Sequence, residues 1–180
     1  MHKQLALLRG INVSGHKIIK MEDLRKLLEG LELGNVKTYI QSGNVIFESQ
    51  HASKAANAEK IKKGLFTQYG FDVGVIVLDN EDLDTVIKNN PFVKDKEANL
   101  KQLYVVYLSE TPKAENISRI DLNQFEPDEF IIIGRAIYIK FSDSASNSKL
   151  TNAFLEKRLN VTATTRNWNT TLKLYDLLKQ

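Results

Sequence analysis

Two arginines, four asparagines and one tryptophan sit in the three stretches of this chain best suited to hold a ligand. The first is Arg9, Gly10 and Asn12, directly after the apolar run Leu5–Leu8. The second is Ser42, Gly43 and Asn44, between two apolar runs. The third is Arg166, Asn167, Trp168 and Asn169, just ahead of an apolar-periodic segment. A guanidinium offers a fork of donors to carboxylate or phosphate, and glycine-bearing loops can turn backbone N–H groups toward an anion. An indole adds a stacking face. The chemistry these types share is recognition of an anionic or polar group. Each also has a plain structural use. Gly10 and Gly15 serve a turn in which Asn12 bonds its own backbone. Ser42–Asn44 makes a hairpin turn with positive φ. Asn167 or Asn169 caps a helix while Trp168 enters the core.

Catalysis finds less support. Gly10 and Gly15 have the glycine spacing of a phosphate loop, but His16 is inserted before Lys17, and Ile18 stands where a magnesium-binding hydroxyl is needed. Ser42 lacks the Gly-x-Ser-x-Gly setting and joins strand to strand rather than strand to helix. The histidines, His2, His16 and His51, have no metal-ligand spacing, and cysteine is absent. Thiolate chemistry, disulfides and cysteine-built zinc sites are therefore excluded, and no metal site is expected. The carboxylates fall mainly on expected helix faces, so no general acid or base pair, catalytic residue or cofactor is nominated.

With 180 residues and 42% hydrophobic content, the chain can bury a true core. Only five fairly apolar positions precede Arg9, too few for a signal segment or a membrane span. The expectation is a soluble cytoplasmic protein with no membrane partner. The formal net charge of +3 is unevenly spread. Residues 1–78 carry 11 Lys and Arg against 7 Asp and Glu, residues 79–130 carry 6 against 12, and residues 131–180 carry 8 against 3. Two basic ends could attract a phosphate-bearing ligand, though the lysines and arginines are sparser than a duplex-binding stripe requires.

Periodicity supplies the elements that must carry these stretches. Gln4–Arg9 reads as a strand and Met21–Leu31 as a helix, with Leu24, Leu27, Leu28 and Leu31 on one face. Strands at Val36–Gln41 and Val45–Glu48 flank the Ser42–Asn44 turn. Ala55–Tyr69 reads as a helix facing inward through Ala58, Ile61, Leu65 and Phe66, and Val73–Leu78 as a strand. The order is βαββαβ, the ferredoxin-like arrangement. The second half follows less cleanly. It has a strand at Gln102–Leu108, a helix at Ile117–Phe125 and a hairpin of Phe130–Ile133 with Ala136–Phe141. A helix at Lys149–Leu159, a strand at Val161–Thr164 and a helix at Trp168–Lys179 complete it. The predicted fold class is α+β, with two ferredoxin-like halves of mainly antiparallel sheet, a linker helix and a C-terminal helix. The expected division is 1–78, a helix and connector over 79–101, and 102–180, which suggests duplication.

Topology then brings two stretches together. With right-handed crossovers the first two strands of a half run the same way, and the third lies beside the first. Arg9, Gly10 and Asn12 should therefore meet Ser42, Gly43 and Asn44 at one sheet edge. An RNA-recognition module would need stacking aromatics on its central strands, whereas strand one is Leu5-Ala6-Leu7-Leu8 and strand three offers Phe47 alone.

The block Leu8–Val13 with Gly15, then Met21 and Leu24, then Tyr39–Val45, and finally Arg166–Thr170, resembles a bacterial family, domain of unknown function 1697. The resemblance runs almost end to end and implies two ferredoxin-like halves and no assigned activity. That family often has Gly-Gly where this chain has Ser14 and Gly15. The expected function is binding of a small anionic or polar, nucleotide-like ligand at the Arg9–Asn12 and Ser42–Asn44 edge. Arg166, Asn167, Trp168 and Asn169 are further candidate contacts. The alternative is a non-enzymatic interaction module that takes a protein or single-stranded nucleic acid through its basic ends.

Overall fold

A computed structural model describes residues 1–94 and 99–180; part of the expected connector at 92–101 lies outside the described residues. The chain divides into two compact units, one of Met1–Leu83 with Leu174–Gln180 and one of Asp84–Lys173.

The first unit contains β1 (His2–Leu8), α1 (Met21–Gly30), β2 (Gly34–Tyr39), β3 (Asn44–Ser49), α2 (Lys54–Tyr69) and β4 (Val75–Leu78), with α3 (Asn80–Asn89) starting after it. Its antiparallel sheet has the order β2-β3-β1-β4. Strand alternation sends Ala6, Leu8, Val45, Phe47 and Val77 to one face, where Leu24 and Leu28 of α1 and Ile61 and Leu65 of α2 complete a core. Asn57, Ala58, Ile61 and Leu65 form the inward line of α2, and Phe66 is 56% exposed rather than part of it. Asn57 sits inside because a polar network satisfies it: it donates to Gln4 Oε1 (2.7 Å) and His51 O (3.0 Å), and accepts from Ser49 Oγ (3.1 Å). The left-handed position that closes α1 is Glu32 rather than a glycine. Glu32 N–H reaches Glu29 O and Leu33 N–H reaches Leu28 O, a Schellman closure with Glu32 at φ 61°.

The second unit repeats the plan with β5 (Leu103–Leu108), α4 (Ala114–Ile117), β6 (Glu129–Ile133), β7 (Ala136–Lys140), α5 (Asn152–Leu159) and β8 (Ala163–Asn167), followed by α6 (Trp168–Lys179). Its antiparallel sheet has the equivalent order, β6-β7-β5-β8. Val106, Leu108, Ile137, Ile139 and Ala163 pack with Leu155, Leu159 and Phe125. Two sequence expectations are revised here. The helix expected over Ile117–Phe125 is one turn at Ala114–Ile117 and a separate 3-10 turn at Leu122–Phe125. Asp121 starts that second turn by accepting from Asn123 N–H, a local bond that competes with helix continuation. The strand expected at Val161–Thr164 lies at Ala163–Asn167, because its pairing with β5 runs from Ala163 through Asn167. Helix α6 follows without a loop.

Candidate functional site

At the edge of the first sheet, β1 ends beside the β2–β3 turn, as the topology requires. Leu8 N–H donates to Gly43 O (2.8 Å), and Arg9 N–H donates to Gly74 O (2.8 Å). The turn itself is Ile40–Gly43, with Ile40 and Gly43 at φ 49° and 79°; Asn44 already belongs to β3. A Cβ built on Gly43 would stand 2.7 Å from Leu8 Cβ, so this position has both a backbone and a steric reason to be glycine.

The segment after Arg9 folds back on itself. Gly10, Asn12, Ser14, Gly15 and Lys17 all have positive φ. His16 N–H returns to Val13 O (2.9 Å) around Ser14 and Gly15, the two left-handed positions a type I′ turn needs. Asn12 holds this small hairpin shut. Its Oδ1 accepts from Ile19 N–H (2.8 Å), and its Nδ2 donates to Ile19 O (2.9 Å) and across to Gln41 O (3.0 Å). Ile11 and Ile19 anchor the hairpin in the core, and Lys17 Nζ donates to Asp72 O. Asn44, fully buried, donates to Tyr39 O (3.0 Å) and Ser42 Oγ (2.9 Å). The expected juxtaposition of Arg9, Gly10 and Asn12 with Ser42, Gly43 and Asn44 is therefore present. Within it, the two asparagines bond the loop and turn, while Arg9 and Ser42 are half-buried. Around them stand Lys17 and Lys20, with Val13, Ile18 and Ile40 each more than half exposed.

Arg166, Asn167, Trp168 and Asn169 lie in the second unit, on β8 and the first turn of α6. Arg166 is only 7% exposed, and its Nη1 donates to Thr164 Oγ1 and Thr165 O, both at 2.8 Å. Burial pushes this guanidinium down to about 10. Asn167 caps α6 by accepting from Asn169 N–H (2.9 Å), and its Nδ2 donates to Lys101 O (3.1 Å). Trp168 is buried.

Sequence reasoning missed the groups near Arg166. Tyr107 is fully buried, with its hydroxyl 3.0 Å from Thr171 Oγ1, and burial pushes the phenol well above its ordinary range. Tyr138 donates to Val86 O (3.0 Å), and burial raises its phenol to about 12. The signal available was strand alternation: Val105, Tyr107 and Arg166 share one sheet face by register. A shallow cavity of about 170 Å³ lies between 124–128 and 142–149 in the same unit. Its Asp128 accepts from Ser142 N–H (2.8 Å) and Ser142 Oγ (2.9 Å). Burial acts to raise that carboxyl, but hydrogen bonds from Ser148 and Ser142 outweigh it and hold the group low. Among the described residues, no group of three or more His, Asp or Glu is placed to hold a metal ion, and no helix is long and apolar enough to cross a membrane.

Two βαββαβ units with equivalent strand orders define an α+β protein of paired ferredoxin-like halves. Residues 1–138 match the family described as "Protein of unknown function (DUF1697)", and the chain belongs to that family. A solved structure of a conserved bacterial protein from Streptococcus pneumoniae is similar throughout, at 27% identity and a TM-score of 0.77. The likeness covers 100% of this chain and 99% of that one. No curated protein matches this chain. The family match includes the Arg9 and Ser42 loops and ends before Arg166.

Proposed function

We propose that the sheet edge of the first unit binds a small anionic or polar, nucleotide-like molecule, with Arg9 as the charged contact. One observation carries this reading: the two loops that meet there, 9–20 and 38–44, contain no carboxylate but include Arg9, His16, Lys17 and Lys20. An anion approaching this edge meets cations and backbone N–H groups without a like charge in either loop. Asn12, Gly43 and Asn44 act by holding the loop and turn in register, and Gly10 and Ser42 supply close backbone approach. Arg166, Asn167, Trp168 and Asn169 are a separate group of polar and stacking side chains in the second unit, bound to their own backbone surroundings. We take residues 1–78 and 102–180 as duplicated halves joined through 79–101, in a cytoplasmic protein.

Native mass spectrometry on freshly purified protein tests the reading by looking for a retained small molecule. Arg9→Ala should release that molecule while changing unfolding stability by less than about 0.5 kcal/mol. A clear loss of stability in ligand-free Arg9→Ala protein would give Arg9 a structural role instead. The second reading, an interaction module for a protein or single-stranded nucleic acid, is favoured by Val13, Ile18 and Ile40 standing exposed on this same basic edge. It requires binding to a single-stranded oligonucleotide or a protein, with oligonucleotide affinity falling steeply as salt rises.

A further inference from the structure

The two sheets treat their outer strands differently. β2, at one edge of the first sheet, is interrupted by a register shift between Gly34 and Lys37, carries Asn35 at φ 47° and exposes Lys37. Such bulges and lysines discourage pairing with another chain. β6, at one edge of the second sheet, has no such interruption. Its register with β7 is continuous from Glu129 opposite Lys140 to Ile133 opposite Ala136. Four successive residues, Phe130–Ile133, are apolar, and Ile131 and Ile133 are 42% and 39% exposed.

The backbone of β6 is readable from its turn. Ile133 and Ala136 flank the two-residue Gly134–Arg135 turn and form its closing pair, which exchanges both hydrogen bonds. Alternation from there turns the N–H and C=O of Ile131 and Glu129 inward to β7. Those of Phe130 and Ile132 face out, and no hydrogen bond among the described residues occupies them. We propose that this edge pairs with a second copy of the chain: β6 meets its own counterpart antiparallel about a two-fold axis at Ile131. That register places Phe130 opposite Ile132 of the other copy, and Ile132 opposite its Phe130, so all four outward groups on each strand are bonded. It joins two four-stranded sheets into one.

Charge makes the edge complementary to a second copy of itself in the antiparallel sense. Asp128 precedes β6 and Glu129 starts it, with Lys140 Nζ 3.0 Å from Glu129 Oε1, so this end keeps one net negative charge. The exposed Arg135 stands in the turn after the other end. Antiparallel self-pairing brings the acidic end of each copy to the basic end of the other, while parallel pairing would set like charges together. Because the contact is isologous it closes at two copies. The strand is short, so the dimer belongs to the weak, concentration-dependent class.

The absence of cysteine makes the test direct. On the two-fold axis the Ile131 pair has the close, non-hydrogen-bonded spacing that suits a disulfide. Ile131→Cys should give a covalent dimer under mild oxidation, and Ile133→Cys, offset from its counterpart by several residues, should not. Sedimentation of the unmodified chain from micromolar to millimolar concentration should show monomer passing to dimer. Ile131→Lys should weaken that dimer about tenfold or more. Arg135→Glu, which sets a carboxylate against the acidic end of the other copy, should also weaken it. A chain that stays monomeric throughout, equal crosslinking of the two cysteine variants, or a dimer indifferent to Ile131→Lys would each overturn the proposal.

Discussion

Gly43 and Asn12 set the geometry of the candidate edge through different physics. Gly43 combines a left-handed backbone with a neighbour so close that an added methyl would stand 2.7 Å from Leu8 Cβ. Gly43→Ala should therefore cost about 2–4 kcal/mol of unfolding free energy, read by denaturant titration, because backbone strain and overpacking act together. Asn12 makes three side-chain bonds to main-chain groups, so Asn12→Ala should cost about 1–2 kcal/mol by the same measurement. Both losses are structural and should appear without any ligand, unlike the effect expected for Arg9→Ala. The sequence reveals these residue types and their spacing. It does not reveal that Asn12 bonds Ile19 and Gln41, since those partners are defined only once the chain has folded back. Arg166 is a similar case: a charged residue reads as surface, and its burial becomes visible only when strand β8 is seen to pass through it.

Among the elements, the junction of α2 with the start of α3 is held by charge. Asp79 and Asp82 exchange backbone N–H bonds in a reciprocal cap, and Lys54 Nζ lies 2.7 Å from a carboxylate oxygen of each. Burial acts to raise the Asp79 carboxyl, but the Lys54 bond and charge and the Asp82 backbone N–H hold it below its ordinary 3.8. Burial likewise acts to lower Lys54, and its bonds to Asp79 and Asp82 raise it overall. A lowered carboxyl stabilises the fold fully above 3.8, and that contribution fades as pH falls through the lower folded value. A raised lysine contributes below 10.5 and loses its contribution as pH rises through the higher folded value. Lys54→Met should therefore lower the melting temperature at neutral pH, and the gap from the original chain should narrow below about pH 4 and above about pH 10.5. Thermal scans across pH check both limbs. Element type was legible wherever period and length agreed, as in α1, α2 and the strands of both hairpins. It was not legible at Ile117–Phe125, where local Asx bonding outweighs helical spacing, nor at Phe66, which lies one position beyond the inward line of α2.

Across the whole molecule, element order was legible because each half repeats β, α, β, β, α, β. The division into units is subtler. Leu174–Gln180, the last turns of α6, belong with the first unit, while Trp168–Lys173 belong with the second. Periodicity makes α6 a single amphipathic helix and says nothing about which apolar residues serve which core. Leu178, 4% exposed, is on the first unit's side of that division. Leu178→Ala should cost about 2–4 kcal/mol, and amide hydrogen exchange should show the loss in the sheet β2-β3-β1-β4. Faster exchange confined to β5–β8 would contradict the division.

The same division has a consequence for biosynthesis. A unit assembled from residues at both ends of a chain cannot finish folding in the order it is made. During translation β1 to β4 emerge first, yet they lack Leu174 and Leu178 until nearly all of the second unit has been synthesised. The earlier half can build the core of its sheet with α1 and α2 from residues 6–77. It gains its last helical turns only afterwards, while Asp84–Lys173 is an uninterrupted segment. Chains ended at residue 173 can be held on the ribosome by a flexible linker long enough to clear the exit tunnel. They should therefore hold a protease-resistant second unit, with the first unit cleaved faster than in the full chain.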